Sequence, residues 1–294
     1  MPHESKRDGE QPSRIYFDRM EGTVNQPFLS VVVITWKMRD LLERMLDSLY
    51  RFMPAIEFEV LLVDNGSRDG TLEMVESRFP GIRLIRNEEN RGVAAARNQA
   101  LRIARGRHVA ILDADLELVE DALGPILSFL EASPDYGIAG ARLIFPDGTT
   151  QFNAKRFPSL GALLSRRIPL LRAFDGGKAL AHHEMHDWDR TSSQEVDYLI
   201  GACQIIRREV LDQIGLLDET IFYGPEDIDF CLRARQAGWK IWWKHDVRII
   251  HHEQRSTKKN PLSNLSRKHY KGLWHFFRKH GLRYSQVPFS TSNG

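Results

Sequence analysis

Strand-like and helical segments alternate between residues 29 and 132, and this alternation constrains the fold more than any other feature of the chain. The strand segments are the apolar runs LSVVVITW (29–36), FEVLLVDNGS (58–67), IRLIR (82–86) and HVAILDAD (108–115). The segments that separate them, and residues 119–132, are predicted helices. This alternation predicts a mostly parallel sheet with helices on both faces, whose ligand lies beyond the carboxyl ends of the strands.

The second half of the chain is less regular. It predicts a strand over 136–145 that ends at the turn PDGT, a strand running into a short helix over 195–211, a helix over 224–238, and two short strands at 240–243 and 247–250. Cys203 and Cys231 both lie in apolar contexts, which favours buried thiols over a disulfide.

Composition excludes several classes of protein. The net charge of +2 gives no reason to expect nucleic acid as a partner. No apolar run approaches the roughly 20 residues that span a bilayer. Residues 1–26 are polar and lack the apolar segment of a signal peptide, so we expect a disordered arm. By elimination, the expected location is cytoplasmic.

The pair Asp113-x-Asp115 closes a predicted buried strand. Two carboxylates at that spacing, where the chain leaves the sheet, are able to share a divalent cation and contact a ribose. Oxygen ligands of this kind suit Mg²⁺ or Mn²⁺. Aspartates in strand-end turns are also common for purely structural reasons.

Two further segments are candidates for nucleotide contact. Asp64 follows the second strand, where it either accepts a hydrogen bond from a base or stabilises its own D-N-G-S turn. In NRGVAAARNQAL (90–101), Gly92 and the three alanines after Val93 either let a ligand approach closely or pack the helix on the sheet. We expect Arg97 of this helix to face a diphosphate.

Glu226 and Asp227 lie in the first turn of a predicted helix that begins at Pro225. Acids are favoured there for structural reasons, because the amino end of a helix is positive. The same field favours the ionised form of Asp227, which would then be ready to accept a proton. Both residues are therefore catalytic candidates.

Two groups of histidines could bind metal. His251 or His252 follows a predicted strand and is able to complete a metal shell with the two aspartates. The segment HHEMHDWDR contains three histidines and two aspartates, at positions 182, 183, 186, 187 and 189. Its spacing fits no common zinc site and no helix is predicted for it, so we interpret it as a polar loop.

The ordered set of motifs resembles a family 2 glycosyltransferase of GT-A fold, in its bacterial rhamnosyltransferase-like branch. The set is LSVVVITW, VDNGSRDGT, NEENRGVAAARNQAL, LDADLEL, EVDYLIGAC, GPEDIDFCLRARQAGW and IIHH, which covers about residues 28–252. The resemblance implies a GT-A domain over 27–260, with a nucleotide-binding half (27–118) and an acceptor and catalytic half (119–260).

The resemblance also implies roles for residues at matching positions. Thr35, Asp64 and Arg97 match nucleotide-contacting positions, and GAC (201–203) matches the acceptor side. Asp113 matches the first acid of the DxD motif, near ribose and metal, and Asp115 the metal-binding acid. Asp227 matches the general base, and His251 matches a histidine that ligates metal in a related galactofuranosyltransferase.

The sequence departs from the family pattern in two places. Trp36 and Lys37 stand where the family often has a turn containing asparagine and tyrosine, and Gln204 is polar where the family is commonly apolar. The first departure puts the contacts on the base side in doubt. Neither touches the catalytic set.

The activity implied is inverting transfer of a sugar from a nucleotide-diphosphate sugar, dTDP-rhamnose-like or a UDP-sugar, to a hydroxyl of a saccharide or lipid-linked saccharide. We expect a role in cell-surface polysaccharide synthesis. A nucleotidyltransferase would also use a nucleotide, a metal and acidic strand ends, but it gives no reason for the E-D helix. A non-catalytic nucleotide-sugar-binding module would need no base.

The segment 261–294 is predicted to hold a basic amphipathic helix and a tail. Tyr270, Leu273, Trp274 and Phe277 lie at helical spacing and are flanked by Lys and Arg. Such a stripe either packs on the main domain, which is the alternative we favour, or lies in a membrane interface. Together with LLSRRIPLLRAF (163–174), residues 266–281 raise the prospect of peripheral contact with the inner face of a membrane.

Overall fold

The computed structural model describes residues 27–53, 55–167, 173, 175–254, 263–281 and 284. The strands are β1 (Leu29–Thr35), β2 (Phe58–Asp64), β3 (Arg83–Arg86), β4 (His108–Asp113), β5 (Leu116–Leu118), β6 (Tyr136–Ile144), β7 (Ala154–Lys155), β8 (Gln194–Glu195), β9 (Tyr198–Leu199), β10 (Cys203–Arg207) and β11 (Lys240–His251). The helices are α1 (Arg39–Phe52), α2 (Thr71–Arg78), α3 (Val93–Leu101), α4 (Leu123–Ala132), α5 (Leu160–Arg167), α6 (Lys178–His183), α7 (Arg208–Ile214), α8 (Glu226–Gln236) and α9 (Asn264–His280). The predicted arm over 1–26, and residues 168–172 and 174 of the segment 163–174, lie outside the described residues.

One sheet organises the molecule. Its strand order is β3-β2-β1-β4-β10-β6-β11-β5, with β8 paired to β11. Strands β3, β2, β1 and β4 are mutually parallel, as the sequence predicts. Strand β10 then enters antiparallel between β4 and β6, and brings the chain that precedes it to the carboxyl end of β4. Two distant parts of the sequence thus meet where a ligand is expected.

Helices cover both faces of the sheet, as expected. Side chains alternate along a strand, so Val31 and Val33 of β1 join a cluster with α1 and α4, while Val32 joins a second cluster with α3 and α8. Cys203 and Cys231 are buried thiols within these two clusters, in agreement with the interpretation of their apolar contexts.

Several element boundaries differ from the prediction. The segments 240–243 and 247–250 belong to one strand, β11, whose register against β6 shifts between Lys244 and Arg248. The helix predicted over 119–132 begins only at Leu123, because residues 116–118 form the short strand β5 against β11. The segment 195–211 contains parts of three strands, β8, β9 and β10, before α7 begins.

The C-terminal helix α9 packs on the chain that leads into α8, and only part of the predicted stripe takes part, since Phe277 packs against the core. Ser266, Gly272 and Phe276 form its buried face, and Lys279 contacts Asp218 at 2.8 Å. Tyr270 and Trp274 are 42% and 64% exposed, so the prediction that the stripe packs on the domain is wrong for these two residues.

Polar contacts help to determine which side of α9 faces the domain. Asp218 and Asp229 accept hydrogen bonds from the basic residues of the last turns of α9, which turns that side of the helix inward. Among the described helices, α9 included, we find none long and apolar enough to cross a membrane.

Candidate active site

Asp113, Asp115 and His251 converge at the carboxyl end of β4. Each offers a ligand atom, and these atoms lie within 4.8 Å of one another. Asp113 ends β4, Asp115 precedes β5, and His251 ends β11, so the antiparallel pairing of β5 with β11 brings the histidine to the aspartates. His252 turns away to Glu117, 2.9 Å from its carboxylate. Of the two candidate histidines, His251 is the one brought to the aspartates.

The charges of this group favour a bound cation. Burial raises the pKa of Asp113, Arg97 lowers it and Asp115 raises it, and the net direction is upward. Burial lowers the pKa of His251, but the carboxylates of Asp115 and Asp113 outweigh burial, and the net direction is again upward. Two neighbouring carboxylates that repel each other, Asp115 buried and Asp113 half-buried, are stabilised by a cation. Their oxygens suit Mn²⁺ or Mg²⁺, and the imidazole of His251 would add a nitrogen ligand.

Asp227 reaches the same region from the first turn of α8. Its Oδ2 accepts a hydrogen bond from the backbone N–H of Gly201 at 3.1 Å. The carbonyl of the next residue, Ala202, accepts from the N–H of Asp113 at 2.9 Å. Asp113 and Asp227 are 114 positions apart in sequence and yet bind adjacent residues of one short segment. The acids of the DxD and E-D motifs therefore meet at one short segment, residues 201–202, which marks the candidate site.

Arg97 contacts both acidic motifs and is 4% exposed. Its Nη2 lies 2.6 Å from Asp113 Oδ1 and 2.8 Å from the carbonyl of Gly201, and its Nη1 lies 3.5 Å from Glu226 Oε1. The guanidinium thus ties α3 to both acidic motifs. Its contact with a diphosphate stays a prediction, since its described partners belong to the protein itself.

Glu226 and Asp227 are adjacent but have different surroundings. Glu226 is 6% exposed, and burial together with Asp227 raises its pKa to about 7 against the opposing effect of Arg97. Asp113, at 2.6 Å, is a closer partner of the Arg97 guanidinium than Glu226, at 3.5 Å. Asp227 is half-buried. A substrate hydroxyl therefore reaches Asp227 more readily than Glu226.

Two buried polar atoms lie at the ends of β1 and β2. Thr35 and Asp64 are paired residues of these parallel strands. Asp64 Oδ2 accepts from the N–H groups of Gly66 and Ser67, which is the structural role expected of a turn. Thr35 Oγ1 and Asp64 Oδ1 find no hydrogen-bond partner among the described residues. Buried polar atoms are nearly always satisfied, so this pair fits a site for a polar ligand such as a nucleoside.

The small residues at the start of α3 have a packing role. Ala94 and Ala96 are buried against the sheet. Gly92 has φ of +87°, and a Cβ there would lie 2.6 Å from the carbonyl oxygen of Phe222. The chain segment before α8 therefore makes the close approach at Gly92, and the packing alternative is the one observed.

The histidine-containing segment begins with a helical turn, which the sequence interpretation missed. His182 and His183 end α6, and His183 is buried with Nδ1 2.7 Å from the carbonyl of Arg156. Asp187 binds the guanidinium of Arg156 through both oxygens at 2.9 Å, which lowers the pKa of Asp187 to about 2. The interpretation as a polar loop is thus wrong for its first two residues.

Sequence reasoning missed Gln151. This buried side chain exchanges two hydrogen bonds with His251, at 2.8 Å and 2.9 Å. The only signal was its place just after the turn PDGT, and nothing local indicates that this turn returns to the end of β11. Gln204, the polar departure from the family pattern, donates to the carbonyl of Leu199 at 2.7 Å and is satisfied within the core.

Comparison with known proteins decides the family. The sequence model of the family described as Glycosyl transferase family 2 matches residues 30–215, which is more than half of the chain. The chain belongs to this family. It is a glycosyltransferase, and its match includes the Thr35, Asp64, Arg97 and DxD positions.

Relatives of this glycosyltransferase carry related names. A protein of Mycobacterium tuberculosis named N-acetylglucosaminyl-diphospho-decaprenol L-rhamnosyltransferase is 28% identical over 82% of this chain and 81% of its own length. A protein of Bacillus subtilis named uncharacterized glycosyltransferase YfnE is 29% identical over 79% of this chain and 66% of its own. The rhamnosyltransferase-like character inferred from the motifs is confirmed.

Solved structures agree on the GT-A fold. The mannosyltransferase PcManGT from Pyrobaculum calidifontis, in complex with GDP-Man and Mn²⁺, superposes with a TM-score of 0.55 at 23% identity. That superposition covers 79% of this chain and 59% of the other, so the glycosyltransferase spans less than two thirds of this neighbour. At this identity the likeness shows the fold alone.

Proposed function

We propose that this glycosyltransferase is inverting and metal-dependent, and that it moves a sugar from a nucleotide-diphosphate sugar to a hydroxyl of a saccharide or lipid-linked saccharide acceptor. The convergence of Asp113 and Asp227 on residues 201–202 carries the proposal. It brings the group Asp113, Asp115 and His251, which is suited to a divalent cation, close to the half-buried carboxylate of Asp227. Much of the acceleration of such a reaction comes from positioning donor and acceptor together.

We assign the role of general base to Asp227. Its carboxylate would take the proton of the acceptor hydroxyl while the hydroxyl oxygen forms a bond to the anomeric carbon and the bond from that carbon to the diphosphate breaks. One displacement of this kind inverts the anomeric configuration. The N–H groups of Gly201 and Ile228 hold the carboxylate and leave lone pairs free for the hydroxyl.

Asp113, Asp115 and His251 are the residues that would hold Mg²⁺ or Mn²⁺. A bound divalent cation supplies charge neutralisation for a leaving diphosphate. The name of the archaeal mannosyltransferase structure, which includes Mn²⁺, supports the assignment. Glu226, the second catalytic candidate, is assigned to hold Arg97 in place, because it is buried against that guanidinium.

The donor would lie over the carboxyl ends of β1, β2 and β4, in the nucleotide-binding half (27–118). The free acceptor atoms of Thr35 and Asp64 support nucleoside binding there. The name of the mycobacterial relative, an L-rhamnosyltransferase named for N-acetylglucosaminyl-diphospho-decaprenol, supports a rhamnose donor and a lipid-linked acceptor. The donor we propose is dTDP-rhamnose-like or a UDP-sugar, used in synthesis of a cell-surface polysaccharide.

We further propose that α9 rests on an anionic membrane surface. Tyr270 and Trp274 point outward from this helix, and Arg267, Lys271 and Arg278 are also exposed. Aromatic and basic side chains on one exposed surface favour the headgroup region. Such contact would bring the candidate active site near a lipid-linked acceptor at the inner face of the membrane.

The proposal is tested by a donor screen followed by product analysis. Thermal shift with UDP- and dTDP-sugars and Mn²⁺ identifies a stabilising donor, because a bound ligand stabilises the fold by mass action. NMR of the product then gives the anomeric configuration, which we expect to be opposite to that of the donor. Retained configuration, or full turnover in EDTA, would refute the mechanism. Release of diphosphate from a nucleoside triphosphate and a sugar phosphate would indicate a nucleotidyltransferase.

A further inference from the structure

Gln151 and His251 form a closed pair of hydrogen bonds beside the candidate metal ligands. The Nε2 of Gln151 lies 2.9 Å from the carbonyl oxygen of His251, and the Oε1 of Gln151 lies 2.8 Å from Nδ1 of the imidazole. Both residues are 5% exposed. The imidazole is thus held through its ring and through its own backbone by one side chain.

The backbone bond determines the polarity of the ring bond. A carbonyl oxygen only accepts hydrogen bonds, so the amide nitrogen of Gln151 must face the carbonyl of His251. The amide oxygen then faces Nδ1, and because this oxygen only accepts, Nδ1 must carry the proton. In the neutral ring the lone pair is therefore at Nε2, the atom that lies 3.4 Å from Asp115 Oδ1.

A hydrogen-bonded turn leads the chain to Gln151. Phe145 N–H donates to the carbonyl of Thr149 at 2.8 Å, and Asp147 Oδ1 accepts from the N–H of Thr149 at 2.9 Å. The chain then returns along β6, where Gln151 N–H donates to the carbonyl of Leu143 at 2.8 Å. Because β6 lies parallel to β11, this return brings Gln151 to the end of β11.

We propose that Gln151 is a positioning residue that fixes the orientation and the Nδ1–H tautomer of His251, so that Nε2 is presented as a ligand to the cation site. The inference rests on the metal site of the proposed function. Outer partners of this kind orient the ligating ring, and their loss typically weakens metal affinity by about 10- to 100-fold.

The first test needs no metal. Nitrogen-15 NMR of the metal-free protein, at a pH where the imidazole is neutral, reports which nitrogen of His251 carries the proton. We expect Nδ1–H in the wild type and loss of that preference in Gln151→Met, which has similar size and lacks both polar atoms. A neutral wild-type ring that carries its proton on Nε2 would overturn the proposal.

The second test measures Mn²⁺ affinity by calorimetry. We expect Gln151→Met to weaken binding about 10- to 100-fold. Gln151→Glu keeps an acceptor for Nδ1–H and loses the donor to the backbone, so its affinity should lie closer to the wild type. Gln204→Met, which removes another buried amide, is the matched control and should leave Mn²⁺ affinity unchanged.

The outcomes separate the two proposals. Equal loss of affinity in Gln151→Met and Gln204→Met, with equal loss of thermal stability, would mean a merely structural role for Gln151. If the wild type binds no Mn²⁺, the metal-dependent part of the proposed function fails. The tautomer measurement still decides whether Gln151 sets the protonation of His251.

Discussion

Arg97 Nη2, on helix α3, lies 2.6 Å from Asp113 Oδ1, at the end of strand β4. The same nitrogen lies 2.8 Å from the carbonyl of Gly201. Since Gly201 N–H also binds Asp227, the guanidinium connects the DxD acid to the segment that holds the proposed base. One buried guanidinium thus couples the position of a proposed metal ligand to that of the proposed base.

Arg97→Met should therefore destabilise the fold by about 3 kcal/mol, because it leaves the partners of a buried charge unpaired. Urea unfolding of the metal-free protein measures the change. Arg102→Met, at the residue that follows the same helix, is the control: Arg102 is half-exposed beside Glu219, and its loss should cost less than about 1 kcal/mol. Equal effects of the two variants would contradict the central role of Arg97.

Asp227→Asn should lower the turnover number about 1000-fold, within the usual range for loss of a general base. An amide keeps the size of the side chain, so donor affinity should change little. Kinetics with saturating donor and calorimetry with the nucleotide separate the two quantities. Turnover near the wild-type value would show that another group is the base.

Asp64→Asn should weaken nucleotide binding about tenfold or more, the effect of one lost hydrogen bond to a charged group. The remaining oxygen still accepts from the N–H groups of Gly66 and Ser67, while the free acceptor atom becomes a donor. Calorimetry with UDP and dTDP measures the affinity. Unchanged affinity together with lower thermal stability would leave Asp64 with its turn role alone.

The stability of the metal-free protein should fall as pH rises through about 7. The pKa of Glu226 is raised from an ordinary 4.5 to about 7, so the folded protein binds a proton there more tightly than the unfolded chain. The resulting stability is present below pH 4.5 and is lost as pH rises through the folded pKa. At pH 8 the contribution lost is on the order of 3 kcal/mol.

Glu226→Gln isolates this effect. Below pH 4.5 the variant should match the wild type, since both side chains are then neutral and similar in shape. At pH 8 the variant should be the more stable protein. Chemical unfolding across this range tests the prediction, and parallel pH profiles for the two proteins would contradict it.

Trp274 should sense an anionic membrane. Vesicles that contain phosphatidylserine should sediment the wild-type protein and shift its tryptophan fluorescence to shorter wavelength. Trp274→Ser combined with Tyr270→Ser should bind more weakly. Ile103→Ser, at another exposed apolar side chain, is the control and should bind as the wild type does. Equal binding by all three proteins would remove α9 as the contact.

Local patterns were sufficient to predict the parallel strands β1 to β4. Apolar runs such as those ending at Asp64 and Asp113 form strands because a sheet covered on both faces needs continuous apolar segments. Parallel pairing then brings their ends, with their acids, to one edge. Boundaries failed where strands are short, as at β5 and β8, since two or three residues carry no detectable period.

The candidate site was predicted as a set of residues but not as a set of contacts. The ordered motifs indicated Asp113, Asp115, Asp227 and a histidine at 251 or 252. The register of β11 against β5 selects His251, and the return of the chain after β6 supplies Gln151. The local sequence predicts neither of these two contacts.

The sequence by itself determined the alternation of strands and helices and the acids at their ends, because these follow from side chains a few positions apart. Only the tertiary structure decided which face of α9 is buried, what Arg97 binds and which histidine faces the aspartates. Those outcomes depend on contacts between segments far apart in the chain, such as Arg97 and Glu226, which are 129 positions apart. Such contacts are set by how whole elements pack, so no local period encodes them.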